Sequence, residues 1–258
     1  MPGKSFELNN QALPELPVKR IVVLTGAGIS AESGVKTFRD SDGLWENHRI
    51  EDVATPEAFA RDPQLVQHFY NLRRQQLQQV QPNPAHTALA HFEQQFSALP
   101  GHQFLLVTQN VDNLHDRAGS QKLLHMHGEL TRARCTESGA AQAQYDDITS
   151  DSRCQCCQLS YNSLRPDIVW FGEMPLYMDT IYQALEQCEL FISIGTSGHV
   201  YPAAGFVEVA RAHGAHCVEI NPHASQTHHL FHHHIVSKAG VAVPQYCHTL
   251  LNHSVLSN

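Results

Sequence analysis

Four short apolar runs, each ending in glycine or polar residues, recur along the chain at residues 20–25, 104–108, 190–194 and 216–220. Uninterrupted apolar runs of this length are typical of strands that are buried on both faces. Helix-like stretches separate the runs, and strands that alternate with helices form parallel sheets. The pattern therefore predicts an α/β fold in which helices cover both faces of a parallel sheet.

The starts of several helices are indicated by a small polar residue followed by proline, at Thr55-Pro56, Asp62-Pro63 and Asn83-Pro84. Such a polar residue caps the first turn, and proline suits the first helical position. An apolar face formed by Leu65, Phe69 and Leu72 predicts an amphipathic helix over about 63–80. Another helix is predicted over 84–96.

Residues 129–168 depart from this pattern, because they are rich in Cys, Ser and Gln and have almost no apolar periodicity. A loop of about 40 residues without structure of its own is improbable inside a compact domain. Three cysteines are crowded together at Cys154, Cys156 and Cys157. We therefore expect this segment to form a small insertion that a bound metal stabilises.

Composition excludes several classes of protein. The chain has 258 residues, of which 42% are hydrophobic and 16% charged, so it is neither disordered nor fibrous. No apolar run approaches the ~20 residues that span a bilayer, and residues 1–17 form a tail without an apolar leader. Seven cysteines, an odd number, favour a reducing compartment over a disulfide framework. The expected location is cytoplasmic, with no membrane partner.

The charge of the chain limits the kinds of partner that it is expected to bind. A formal net charge of −8 argues against direct binding of nucleic acid, which depends on a basic face. Histidine is unusually frequent, at 19 residues, and full protonation would change the net charge to +11. The stretch 228–234 is rich in histidine, and we interpret it as a solvated loop or helix face, with metal affinity as the alternative.

Each predicted strand is followed by a glycine-rich or polar loop, at residues 25–30, 108–112, 195–198 and 221–222. In an open parallel sheet, ligands bind at the carboxyl ends of the strands, where such loops converge. The segment Gly26-Ala-Gly28-Ile-Ser-Ala31 fits a pattern in which backbone N–H groups and a helix N-terminus approach the pyrophosphate of a dinucleotide. Alone, the same glycines are equally consistent with a tight turn.

One departure from the dinucleotide pattern disfavours a hydride-transferring dehydrogenase. Such enzymes place an acidic residue after a second strand, about 20 residues beyond the glycines, to hold the ribose. Here the chain continues as Phe38-Arg39-Asp40 and Gly43-Leu44-Trp45, without a strand pattern.

Seven ordered motifs resemble those of the sirtuin family, the NAD-dependent protein-lysine deacylases: GAGISAESG at 26–34, TFR at 37–39, GLW at 43–45, TQNVD at 108–112, HG at 127–128, VWFG at 169–172 and GTS at 195–197. They follow the family's order and spacing between about residues 20 and 250. Within the family, the chain is most similar to bacterial class III members, which resemble the mitochondrial desuccinylase of animals.

The resemblance implies two domains. A Rossmann-like NAD-binding domain would comprise residues 18–30, 75–128 and 169–258. A smaller domain would consist of a helical insertion, 31–74, and a zinc-binding insertion, 129–168. NAD, the co-substrate, would lie in the cleft between the two domains.

The resemblance also implies the catalytic residues. His127 would be the catalytic base, and an imidazole that titrates near the working pH suits that role. Asn110 and Asp112 would act with it at the nicotinamide and ribose. The implied NAD contacts are Gly26, Ala27, Gly28, Phe38, Arg39, Trp45, Gln109, Asn110, Asp112, Gly195, Thr196, Ser197, Asn221 and Ala239. Without the family, His115 and His125 would be rivals to His127, but both are expected to pack or to face solvent.

Substrate recognition is implied at two places. Val169 and Phe171 would pair through their backbones with an extended acyl-lysine peptide. Tyr70 and Arg73 resemble the acyl-pocket pair of the desuccinylase class, although elsewhere such a pair is an ordinary feature of a helix surface. A succinyl or malonyl group ends in a carboxylate, which is costly to bury unless it is paired and hydrogen-bonded. We therefore expect deacetylase activity together with desuccinylase or demalonylase activity.

The implied zinc site departs from the family pattern of two Cys-x-x-Cys pairs. The first pair here reads Cys135-Thr-Glu-Ser138, so its second thiolate is missing. Cys135, Cys154 and Cys157 match three of the expected ligands. Cys156 could supply the fourth, and a weaker or empty site is the alternative.

Two alternatives to a deacylase are open. Some sirtuins favour mono-ADP-ribosyl transfer, and a non-catalytic module could bind NAD or acyl-lysine without turnover. The intact set of Asn110, Asp112 and His127 argues against the non-catalytic module.

Overall fold

The computed structural model describes residues 13, 18–36, 44–45, 48–157 and 163–256, so most of the tail predicted over residues 1–17 lies outside the described part. Its strands are β1 (Arg20–Thr25), β2 (Leu44–Trp45), β3 (His48–Arg49), β4 (Gln103–Thr108), β5 (Leu123–His125), β6 (Gly128–Cys135), β7 (Ala141–Ala143), β8 (Leu164–Ile168), β9 (Leu190–Ile194), β10 (His216–Ile220) and β11 (His233–Ile235). Its α-helices are α1 (Ile50–Val53), α2 (Pro56–Arg61), α3 (Pro63–Leu77), α4 (Pro84–Ser97), α5 (Leu114–Ala118), α6 (Met178–Gln187), α7 (Phe206–Ala212) and α8 (Ala239–Leu256).

The main sheet has the strand order β11-β10-β9-β1-β4-β5, and every neighbouring pair in it is parallel. The four strands predicted from the apolar runs are β1, β4, β9 and β10, so the α/β prediction is confirmed. The two edge strands, β5 and β11, are not evident in the apolar pattern, because each has only three residues and includes histidine.

Helices cover both faces of this sheet. Ile21 and Val23 of β1 belong to the core against α4 and α8, whereas Val22 and Leu24 belong to the core against α6 and α7. A strand that is apolar on both faces has little room for polar side chains along its length. The polar residues of β1 and β4 therefore lie at the strand ends, with Thr25 and Thr108 at the carboxyl ends, where the loops begin.

The histidine-rich stretch 228–234 differs from the solvated loop or helix face that the sequence predicts. It forms a short 3-10 helix, His228–Leu230, and then enters β11, which pairs with β10. His228 and His229 are exposed, but His234 is partly buried, and its Nε2 lies 3.4 Å from a carboxylate oxygen of Glu219. The exposure of His228 and His229 agrees with the prediction, which was wrong only for the part that enters β11, because pairing with β10, and not the local sequence, determines this edge strand.

The three predicted helix starts are confirmed. The side chains of Thr55, Asp62 and Asn83 each accept a hydrogen bond from a backbone N–H in the first turn of α2, α3 and α4. Helix α3 ends at Leu77 and not near residue 80. Among the described residues, no helix combines the length and the apolar character that a membrane span requires.

The buried face of α3 differs from the predicted one. Leu72 is 46% exposed, whereas Val66, Phe69 and Tyr70 are buried. Three buried polar side chains of α3 donate to backbone carbonyls of the segment 129–168: Gln67 to Leu164, Asn71 to Ile148 and Arg74 to Leu130. Because the carbonyls that α3 covers need donors, this face is not a purely apolar stripe.

Most of the segment 129–168 is organised around the antiparallel sheet β7-β6-β8, which the weak apolar periodicity does not predict. Leu130 and Ile168 of this sheet share a hydrophobic cluster with Val66 and Phe69 of α3. On this contact we propose that segments 31–74 and 129–168 form one smaller unit, and that the remaining segments form the larger one.

Two buried imidazoles lie where β1, α4 and α5 meet. His86 and His115 are 0% and 1% exposed, and their ring centres are 4.8 Å apart. His86 Nε2 lies 3.4 Å from the Ser30 hydroxyl, and His115 Nε2 lies 3.0 Å from the Thr25 hydroxyl. Burial disfavours the charged form, so it lowers the pKa of His86 to about 4 and that of His115 well below its usual value.

We predict that stability falls as the pH falls from about 6.5 to about 4, because both imidazoles stay neutral in the fold but become protonated in the unfolded chain. For His86, a pKa of about 4 in place of 6.5 corresponds to a loss of about 3 kcal/mol across this window. Chemical denaturation at a series of pH values measures the slope.

His86→Gln should remove about that share of the pH dependence. His91→Gln, at an exposed position of the same helix, is the matched control and should retain the wild-type slope. Identical slopes in the wild type and both variants would contradict the prediction.

Candidate functional site

A cavity of about 950 Å³ lies at the carboxyl ends of the parallel strands and extends to α3. Apart from the cysteines, every predicted site residue whose side chain is described lines it: Gly26, Ala27, Gly28, Tyr70, Arg73, Gln109, Asn110, Asp112, His127, Val169, Phe171, Gly195, Thr196, Ser197, Asn221 and Ala239. Phe38 and Arg39 lie outside the described residues, and Trp45 is described only as part of β2. The structure thus brings the predicted residues from distant segments to one cavity.

The glycines after β1 bring two loops together. The N–H groups of Gly26 and Gly28 donate to the carbonyls of Ile194 and Gly195, at 3.0 and 2.9 Å. A Cβ on Gly28 would lie 2.7 Å from the Cα of Gly195, so this approach requires glycine. The chain then continues as two short 3-10 helices between residues 27 and 33, in place of the α-helix that the pattern suggests. These two N–H groups are therefore engaged within the protein, and any N–H groups of this segment that approach a pyrophosphate would be others than these two.

Asp112 is a buried carboxylate with its hydrogen bonds supplied by neighbouring loops. The Ser30 hydroxyl donates to its Oδ2 at 2.9 Å, and the Leu114 N–H donates to its Oδ1 at 3.1 Å. The Asn110 amide donates to the same Ser30 hydroxyl at 3.1 Å, so one side chain joins the loops after β1 and β4. Burial raises the pKa of Asp112, and the hydrogen bonds from Leu114 and Ser30 oppose that change.

Sequence reasoning did not identify Ser30 and His86 as parts of this site. Ser30 lies inside the glycine motif, where only Gly26, Ala27 and Gly28 were assigned a role. His86 lies three residues after Asn83, whose backbone N–H donates to His86 Nδ1 at 3.3 Å, and this bond directs Nε2 toward Ser30. The signal that was available is the helix start at Asn83-Pro84, which fixes the side chain three residues later.

His127 lies in the short link between β5 and β6, and its side chain lines the cavity. Its Nδ1 lies 3.1 Å from the Gln109 carbonyl oxygen, which only accepts, so Nδ1 carries the proton and Nε2 is the basic nitrogen. Burial lowers the pKa of His127, so the imidazole is neutral at pH 7. Gly128 has a φ of +80°, and a Cβ there would collide with the Asp167 carbonyl oxygen. Only glycine therefore fits directly after this histidine.

The two rival histidines have partners inside the protein. His125 Nε2 lies 3.0 Å from Asp116 Oδ2, and its Nδ1 lies 3.4 Å from the Asn110 carbonyl oxygen. Burial opposes the charged form of His125, but the hydrogen bond and charge of Asp116 outweigh burial and raise its pKa. His115 is buried beside Thr25. Neither His115 nor His125 is among the described residues that line the cavity, and both are buried, in agreement with the expectation that they pack or face solvent.

Tyr70 and Arg73 form part of the cavity wall that α3 contributes. Tyr70 is fully buried, burial raises its pKa, and its hydroxyl oxygen accepts a hydrogen bond from the Trp170 indole at 2.9 Å. The Arg73 guanidinium lies 3.2 Å from the ring centre of Phe69 and donates to the Phe69 carbonyl. A permanent cation and a phenol are thus placed in the cavity that also contains His127.

Val169 and Phe171 follow β8 at the edge of the cavity. Their N–H groups donate to the carbonyls of His127 and Ala54, at 2.8 and 3.0 Å. Pairing with an extended peptide through these two residues therefore depends on their carbonyl oxygens. Phe171 is 46% exposed and offers an apolar contact beside the cavity.

Cys135, Cys154, Cys156 and Cys157 form a cluster whose four sulfur atoms lie within 4.8 Å of one another. Cys156 completes this group of four, and its sulfur lies 3.1 Å from the hydroxyl of Ser138, the position at which the second thiolate of the first pair is missing. Four thiolates at this spacing suit Zn²⁺, which is tetrahedral in structural sites. The geometry agrees with the expectation that Cys156 could supply the fourth ligand.

Comparison with known sequences gives consistent results. Residues 26–202 match the sequence profile of the Sir2 family. An NAD-dependent protein deacylase of Yersinia pseudotuberculosis is 55% identical over 251 residues, which are 96% of this chain and 88% of that protein. An NAD-dependent protein deacylase of Escherichia coli K12 is 57% identical over 245 residues, which are 94% of this chain and 86% of that protein.

Solved structures extend the likeness to the fold. A mutant Sir2 homologue in complex with ADP-ribose has a TM-score of 0.82 at 36% identity, over 93% of this chain and 95% of that one. A Sir2–p53 peptide–NAD+ complex has a TM-score of 0.72 at 25% identity, again over 93% of this chain and 95% of that one. By sequence, by fold and by the residues that line its cavity, the chain belongs to the Sir2 family.

Proposed function

We propose that this chain is an NAD-dependent protein-lysine deacylase, which transfers an acyl group from lysine to ADP-ribose. The products would be nicotinamide, the free lysine and O-acyl-ADP-ribose. The observation that carries this proposal is that His127, an imidazole of fixed tautomer, lines the same cavity as Asn110 and Asp112, which Ser30 joins by hydrogen bonds. The names of the relatives from Yersinia and Escherichia support the same activity.

The cavity suits NAD as the co-substrate. The loops after β1, β9 and β10 line it with small or polar residues such as Gly26, Ser197 and Asn221. Its volume of about 950 Å³ is at the upper end of the range for ligand sites, ~300–1,000 Å³. When bound, NAD supplies a ribose carbon that can accept the acyl oxygen as nicotinamide leaves. Related structures that contain ADP-ribose and NAD+ support this choice of ligand.

The chain's own residues would orient the nicotinamide ribose and remove a proton from one of its hydroxyl groups. His127 would take a proton from a ribose hydroxyl at Nε2, since its Nδ1 is engaged by the Gln109 carbonyl. Asn110 and Asp112, joined through Ser30, would orient the nicotinamide ribose. Because Asn110 and Asp112 are buried, we expect them to act by orienting the ribose and by excluding water from it.

We infer that the enzyme removes succinyl and malonyl groups as well as acetyl groups. Arg73 would pair with the terminal carboxylate, and the Tyr70 hydroxyl would donate to it. Burying a carboxylate without such partners would be costly. An extended acyl-lysine peptide would lie along residues 169–171, and the related complex with a p53 peptide supports a peptide substrate.

His127→Ala should lower kcat/KM on an acetyl-lysine peptide at least about 100-fold, because the ribose hydroxyl loses its base. Mass spectrometry of the deacylated peptide measures the loss, and His91→Ala at an exposed position is the control. Turnover comparable with the wild type would mean that another group is the base. An ADP-ribosylated protein without deacylated peptide would favour mono-ADP-ribosyl transfer instead.

Arg73→Met should reduce kcat/KM for succinyl-lysine at least about thirty-fold, since truncating one partner of a buried charge pair costs roughly 2 kcal/mol or more. Acetyl-lysine should be much less affected, because it presents no carboxylate. Steady-state kinetics on matched peptides measures both, with the exposed Arg61→Met as the control. Equal losses on the two substrates would indicate that Arg73 supports the fold or the NAD site.

We propose that the cysteine cluster holds one structural Zn²⁺ and that Cys156 is its fourth ligand. None of these four cysteines is among the described residues that line the cavity. The ion would therefore act on stability and not on the reacting groups. A closed set of four thiolates is the arrangement that structural zinc prefers.

Elemental analysis of protein purified without a tag should give about one zinc per chain. Cys156→Ser should lose the metal and lower Tm by about 5 °C or more, because the ligand set is then open. Cys188→Ala, which alters a buried thiol elsewhere, should keep its zinc. A metal-free wild type with unchanged Tm and activity would contradict a structural role for zinc.

A further inference from the structure

Trp170 follows β8 and lines the same cavity as Tyr70. Its indole N–H donates a hydrogen bond to the Tyr70 hydroxyl oxygen, with 2.9 Å between nitrogen and oxygen. The two side chains are 2% and 0% exposed, so water competes little for this bond. A buried hydrogen bond of this kind is costly to break from one side, because the other partner must find a new one.

The indole ring is itself fixed by two charged residues. The Arg165 guanidinium lies 3.5 Å from the ring centre and donates to both carboxylate oxygens of Glu173, at 2.7 and 2.8 Å. Glu173 also accepts a hydrogen bond from the backbone N–H of Trp170 at 2.8 Å. Because ring and backbone are both held, the protein fixes the direction of the indole N–H before any substrate enters.

The polarity of the bond to Tyr70 determines what the phenol can do. An indole N–H only donates, so the Tyr70 oxygen is the acceptor and the phenol's own proton points away from the indole. A phenol held in this way acts as a donor to a further group. A carboxylate is a strong acceptor, whereas the methyl group of an acetyl chain accepts nothing.

We propose that Trp170 is a positioning residue for acyl selectivity, because its indole N–H orients the Tyr70 hydroxyl as a donor toward the carboxylate of a succinyl or malonyl group. The inference rests on the proposed function and adds to it a residue that acts through Tyr70. In this arrangement Arg73 supplies the charge, and Trp170 sets the direction of the second hydrogen bond.

A double-mutant cycle on the full-length protein tests this role. Trp170→Phe, Tyr70→Phe and the double variant are compared with the wild type on succinyl- and acetyl-lysine peptides of one sequence, at saturating NAD. Trp170→Phe should lower the ratio of succinyl to acetyl kcat/KM about three- to tenfold, the effect of one hydrogen bond, mainly through KM for the succinyl peptide. In the Tyr70→Phe background the same substitution should leave the ratio unchanged, because both residues act through one hydroxyl.

The outcomes separate this inference from the proposed function. A fall of equal size in the Tyr70→Phe background, or equal losses on both peptides, would overturn the inference, since Trp170 would then support the cavity as a whole. A wild type active on both peptides, with an unaltered ratio in Trp170→Phe, overturns the inference alone. A wild type without any turnover of succinyl-lysine overturns the proposed acyl range together with the inference.

A second variant distinguishes the loss of the indole N–H from the loss of ring packing. Replacement of Trp170 by β-(3-benzothienyl)alanine keeps a ring of nearly the same size and exchanges the N–H for sulfur. It should reproduce the ratio of Trp170→Phe while thermal unfolding stays at the wild-type temperature. A wild-type ratio in this variant would also overturn the inference.

Discussion

The site depends on the burial of one carboxylate. Asp112 is only 5% exposed, and a carboxylate in such a place must be surrounded by hydrogen-bond donors. Ser30 and the Leu114 N–H meet that need, and because Ser30 also accepts from Asn110, the loops after β1 and β4 are tied together. The carbonyl that orients His127 belongs to the same β4 loop. The loop that supplies the buried acid thus also supplies the carbonyl that orients the imidazole of His127.

Helix α3 connects the cysteine-bearing segment to the cavity. Its buried polar side chains, such as Arg74 at 2% exposure, donate to the backbone of that segment. Burial lowers the pKa of Arg74 to about 10, so it stays charged at pH 7. Tyr70 and Arg73, on the same helix, line the cavity. A displacement of the cysteine-bearing segment would therefore reach Tyr70 and Arg73 in the cavity wall, through the helix to which that segment is hydrogen-bonded.

The central strands and helix starts could be predicted because their signals are local: an apolar run, or a capping residue before proline. The strands β5, β11 and β6 to β8 could not, because each depends on partners distant in sequence. The motifs correctly brought together the residues that line the cavity. They did not reveal that the N–H groups of Gly26 and Gly28 donate to the last residue of β9 and to the loop after it, or that Ser30 joins Asn110 to Asp112 by hydrogen bonds. Those contacts arise only when the loops meet in three dimensions.

The parallel sheet ends on both sides in strands of only three residues, β5 and β11. An edge strand leaves a row of N–H and C=O groups to which a strand from another molecule can add, and a short edge offers few of them. One of these edge strands, β11, also begins with two histidines, so it offers little apolar surface against which a further strand could pack. The short length that makes these strands hard to find in the sequence thus leaves few backbone groups at either edge with which a strand of another molecule could pair.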